Sequence, residues 1–151
     1  MPAISNDSEL RQLIDSLGFE DQRALGVKFA QGVIDLTPDP RLKKALETAL
    51  APGVTDPEVE EAYKTAKAIS TATYTACGRD TDWLAQAEHF VAATLQAALA
   101  PTDQLPGKST AAWKAAMQAR MARNCAMIET GQASADSESQ RQYKIAQGAV
   151  G

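Results

Sequence analysis

The side chains through which this chain would do chemistry are few: one histidine, two cysteines and 19 carboxylates. His89, the single histidine, sits in the stretch WLAQAEHFVAAT at 83–94. A lone imidazole acts as general acid, general base or metal ligand only with partners. The position three residues earlier is Gln86, where a di-iron helix carries Glu. No His-Glu-x-x-His pattern or Cys/His cluster accompanies it. Glu88 is adjacent but points to another side of a helix. Asp82 shares the side of His89 but lies about two turns away, near 10 Å, too far for a direct hydrogen bond. These spacings predict no catalytic residue, no metal site and no cofactor.

The remaining motifs are also short of a site. PGKST at 106–110 looks like the end of a phosphate loop, but position 102 is Thr where that loop needs Gly. A turn leading to a Ser109 cap accounts for all five residues. Cys77 and Cys125 are far apart and form no Cys-x-x-Cys, so they read as reduced thiols and small apolar fillers. Glu60 and Glu61 lie on a solvated face with Lys64 in supportive range. Met117, Met121 and Met127 suit core packing, with a Met-rich partner groove as the alternative use.

The elements that must position these residues are helical. Asp7 or Ser8 caps a first helix that stops at Gly18. A second runs from Glu20 to Leu36, with Leu25, Phe29, Val33 and Leu36 at helical spacing. Gly26 and Gly32 inside it each cost about 1 kcal/mol against Ala, and their use is to let another helix approach. Asp39-Pro40 and Asp56-Pro57 are cap-and-first-turn pairs for the third and fourth helices. Gly78 stops the fourth, and Asp80 or Thr81 caps the fifth, which reaches Ala100. The sixth runs from Ser109 to before Gly131, with Trp113, Met117, Met121, Cys125 and Ile128 on one side. The predicted fold is all-α, a bundle of five or six helices. Residues 1–130 form the single helical domain. Residues 131–151 form a polar, mobile tail, with at most a short helix near 138–147.

Successive helical residues turn by about 100°. On that wheel Leu84, Ala87, Val91, Leu95 and Ala98 make the core stripe of the fifth helix. His89 falls on the opposite side with Asp82, Gln86, Ala93 and Gln96. It is therefore predicted to be solvated or to lie on a second, small-residue contact face. Asp82, Gln86, His89 and Gln96 are the candidate partner-binding residues.

Composition narrows the function classes. The chain has 151 residues, 44% of them hydrophobic and 5% aromatic, with net charge −4. An acidic balance argues against binding a nucleic-acid backbone. There is no apolar run of membrane-spanning length, nor a basic and apolar leader at the start. A cytoplasmic, bacterial protein is expected, with homo-oligomerisation open because several helices carry two semi-apolar faces.

Two resemblances add to this. Cys77-Gly-Arg-Asp80 is similar to the Cys-x-Arg-Asp signature of phycobiliproteins, in which the cysteine carries a bilin and the Arg and Asp hold it. That implies a small-molecule carrier using Cys77, Arg79 and Asp80. Read from the residues alone, the stretch is a buried cysteine, a glycine stop and an aspartate cap, and this reading is preferred. The longer likeness covers residues 22–99, through RALGVKFAQGVIDL, DPRLKKALETAL, AYKTAKAISTATYTA and AEHFVAATLQAAL. It resembles an Ala-rich helical family of immunity proteins of bacterial toxin systems. Asp39, Arg41, Ala45 and Glu47 fit one element of that pattern, and His89, Val91, Ala92 and Thr94 another. The family's Ala-Glu-Arg run is Gln31-Gly32-Val33 here, and Ser70 and Gln96 stand where further histidines are expected. The resemblance implies a non-enzymatic protein that neutralises a toxin or holds another protein partner. The alternatives are the carrier and an enzyme of unspecified reaction.

Overall fold

Four helices of this chain begin where a short polar side chain satisfies free amides of the first turn. In the computed structural model, α1 (Asp7–Ser16) is capped by Asn6, whose side-chain oxygen accepts from Glu9 N at 2.9 Å. Asp39 does the same for α3 (Pro40–Leu50), accepting from Arg41 N at 2.9 Å. At α4 (Asp56–Tyr74) the expected Asp56 cap gives way to a reciprocal pair. Thr55 Oγ1 accepts from Glu58 N at 3.3 Å, and the Glu58 carboxylate accepts from Thr55 N at 3.1 Å. Asp82 caps α5 (Trp83–Leu99), accepting from Leu84 N and Ala85 N. α2 (Phe19–Val33) ends in a short 3-10 turn at Ile34–Leu36. α6 (Ala111–Thr130) and α7 (Glu138–Val150) complete the order. The structure describes residues 4–74, 82–101, 111–131 and 138–150.

The described residues hold seven α-helices, where five or six were predicted. The addition is α7, in the segment expected to be a polar tail. Its Gln142, Tyr143 and Ala146 are buried against α1, α2 and α6.

The centre is the triangle of α2, α5 and α6, with the broadest contact between α5 and α6. Leu25, Phe29, Val33, Val91 and Leu95 supply the larger side chains there. α6 meets them with Ala112, Ala115, Ala116, Ala119 and Ala122, all fully buried. This corrects the face predicted for α6. Cys125 is buried, but Met121 and Ile128 are 46% and 55% exposed. Close packing of three helices selects the smallest side chains for the contact and pushes the larger ones to its flanks. Gly26 is part of the same device, since a Cβ there would sit 2.8 Å from Ala98 Cβ. α4 covers another side of α5, and α3 leans on α4. No described helix is long and apolar enough to cross a membrane.

Candidate functional site

His89 is held by α5 against α4. It is 8% exposed, and its Nδ1 lies 3.0 Å from both the Ser70 carbonyl and Thr73 Oγ1. A carbonyl only accepts, so Nδ1 carries the proton in the neutral ring. The Thr73 hydroxyl donates to Ile69 O at 2.8 Å, which leaves its lone pairs toward the imidazole. Phe90 packs edge-on at 5.1 Å between ring centroids. A solvated His89 is thus overturned, and the second contact face belongs to α4 of the same chain. The wheel failed because α5 is enclosed on two sides, by α2 and α6 and by α4. Leu84, assigned to the core stripe, is 49% exposed at the start of α5.

The other predicted residues do not converge on His89. Asp82 is spent on the cap of α5, and Gln86 is half-buried one turn later. Glu88 takes part in electrostatics that the sequence did not suggest. Burial, and then the carboxylates of Asp39 and Asp82, hold its carboxyl above the usual carboxylate range. Arg41 answers that acidic corner by pairing with Asp39 at 2.8 Å, and its guanidinium is the chief reason the Asp39 carboxyl lies below its usual range. The Asp-x-Arg likeness is therefore a helix cap that carries its own counter-ion. Thr94, from the same likeness, donates its hydroxyl to Phe90 O inside α5. Cys125 packs with Ala87 and Ala126 as a small apolar filler. Cys77, Arg79 and Asp80 lie outside the described residues. No group of three or more His, Cys, Asp or Glu among the described residues could hold a metal ion.

Among the described candidates only Gln96 lines the groove of about 510 Å³ between α4, α5 and α6. Ala93, Ala97 and Ala100 of α5 leave the space, because they present only methyl groups where larger side chains would fill it. Tyr63 of α4 and Trp113 and Met117 of α6 form its apolar walls, and Gln96, Lys114 and Gln118 bring polar groups to it. Lys114 is exposed, while Tyr63 shows only an edge. The sequence placed Trp113 and Met117 on one side of the sixth helix and passed over Lys114 and Gln118. The signal available was the Ala93-Ala97-Ala100 spacing on the polar side of α5. A second cleft, between α3 and α4, has Arg41 and Lys44 against Glu58 and Glu61 and is self-complementary in charge.

Compared with protein-family models, curated proteins and solved structures, the chain matches none.

Proposed function

We propose that this chain is a non-enzymatic helical interaction protein, immunity-like in kind, that holds a segment of a protein partner between α4, α5 and α6. The observation that supports this is the make-up of the groove. A floor of alanines lies between an aromatic wall and a Trp-Met wall, with two amide side chains that can both donate and accept. Aromatic and Met anchors ringed by polar groups are the composition of protein-interface hot spots. On this reading Gln96 touches the partner, while Asp82, Gln86 and His89 act by fixing α5.

A photo-crosslinking residue tests it. Placed at Gln118 it is expected to capture a discrete protein partner in the source cells. Placed at Glu47, on the exposed face of α3, it is expected to capture none. Ala97→Trp fills the groove and should remove the Gln118 adduct while the circular dichroism stays helical. Adducts of equal yield at both positions, or one that survives Ala97→Trp, would sink the reading. An immunity role adds one outcome: protection of cells from the captured partner should fall with Ala97→Trp.

A further inference from the structure

The chain carries 19 acidic and 15 basic side chains, yet among the described residues the lining of the groove includes Lys114 and no carboxylate. Two more cations sit on its aromatic walls. Arg11 stacks over the Trp113 ring at 4.8 Å, and Lys67 Nζ lies 6.0 Å from the Tyr63 ring centre. Among the described residues Lys67 and Lys114 have no carboxylate within ion-pair distance, and Arg11 has a loose pairing to Asp15 at 3.9 Å, with both side chains about half exposed. A locally basic rim on an acidic protein is a segregation of charge, and it points at the sign of what docks there.

We infer that the partner segment is acidic and amphipathic: apolar side chains that enter between Tyr63 and Trp113, flanked by carboxylates that meet Lys67, Lys114 and Arg11. The inference rests on the reading of the groove as a partner site. A volume of about 510 Å³ is in the range of small binding clefts and takes a few side chains of a peptide or helix face. The cations gain twice from such a partner, since each carboxylate adds a charge-assisted hydrogen bond beside a desolvated apolar anchor. Single-stranded nucleic acid offers the same charge, but its bases need free aromatic faces to stack on. Here Tyr63 is buried, and the Trp113 face is already covered by Arg11.

The test is a selection of 16-residue peptides from a random phage library on the full chain, with counter-selection on Ala97→Trp. Groove-dependent clones are expected to carry Leu, Phe or Trp anchors with Asp and Glu outnumbering Lys and Arg. Synthetic peptides from that pool should bind the Lys67→Glu/Lys114→Glu double variant about tenfold more weakly, a difference that narrows as salt screens the charges and weakens binding to the unsubstituted chain. Both positions are exposed, so that variant keeps the fold. A groove-dependent pool that is neutral or basic overturns the acidic assignment and leaves the groove reading standing. Binding that the double variant leaves unchanged does the same. A labelled oligo-dT strand that displaces the peptides would replace the assignment with nucleic acid. Failure to enrich any groove-dependent clone overturns the groove reading itself.

Discussion

At Gly26 a hydrogen in place of a methyl group sets how closely α2, α5 and α6 meet. A Cβ there would lie 2.8 Å from Ala98 Cβ, 3.2 Å from Ala98 Cα and 3.4 Å from Ala115 Cβ. Alanine gains about 1 kcal/mol of helix propensity, but overpacking costs about 1–3 kcal/mol. The obstruction includes backbone, which cannot swing aside, so Gly26→Ala is expected to lose about 1–2 kcal/mol in urea denaturation. Gly32→Ala is the counterpart, because its Cβ would meet Ile145 Cδ1 at 3.6 Å in ordinary contact. It should be neutral or stabilising by up to about 1 kcal/mol. Equal losses at the two sites would show that close approach is not what Gly26 provides. His89 gives the second prediction at this scale. His89→Ala strips the buried Ser70 carbonyl of a donor and leaves a gap against α4. It is expected to cost about 2 kcal/mol while leaving peptide binding in the groove unchanged per folded molecule. Loss of binding without loss of stability would restore His89 as a contact residue.

The element with the most distinctive chemistry is α7, because polar groups seat it. Gln142 is fully buried, with its amide donating to Ala116 O at 2.8 Å and its oxygen accepting from Arg120 Nε at 2.9 Å. Arg120 continues as a bidentate pair to Asp7, which also accepts from Tyr143 Oη at 2.7 Å. The Arg120 hydrogen bond, aided by Tyr143, lowers the Asp7 carboxyl to about 2. A carboxylate depressed on folding adds stability above its unfolded value, near 4, that is lost as pH falls toward 2. Asp7 is half exposed, so screening cuts the effect. Asp7→Asn should cost about 1 kcal/mol at pH 7, a difference that shrinks below pH 4 and vanishes as pH falls through about 2. Glu138 has the opposite sign. Burial raises its carboxyl despite Arg123 Nε at 3.5 Å and Arg141, and neither oxygen has an aligned hydrogen bond. Its surroundings favour the neutral form, so its ionised form costs stability at neutral pH, and that cost fades as acidification protonates it. Glu138→Gln should therefore stabilise at pH 7 by less than about 1 kcal/mol, a gain that shrinks toward pH 4. A loss at pH 7 would mean that the Arg123 pair outweighs desolvation. This also explains what the sequence showed and hid. Asp39-Pro40 and Pro52-Gly53 mark helix ends by local backbone chemistry, and the structure has α3 between them. The short helix expected near 138–147 is α7, but its docking was not legible, because Glu138 and Gln142 are polar and its buried side shows no full apolar stripe. The groove escaped because it is a gap among three helices, set by packing distance and by alanines that any wheel counts as apolar.

On the scale of the whole molecule the two systems sit on different supports. The groove is built on α4, α5 and α6, inside the broadest helix contacts of the fold. α7 touches chiefly α1, α2 and α6, over smaller areas. Apolar burial dominates the first and hydrogen-bonded polar burial the second, and net stabilisation per residue is larger for the first. Opening should therefore be graded. Native-state hydrogen exchange is expected to show amides of 92–95 and 115–119 exchanging only on global unfolding. Amides of 142–146 should exchange through a smaller opening that leaves α5 and the groove protected. If 142–146 proved as protected as 92–95, α7 would be part of one cooperative core. Its polar seat would then match the alanine-lined centre in strength, and the Asp7 and Glu138 substitutions would have to shift global stability rather than the opening of one helix.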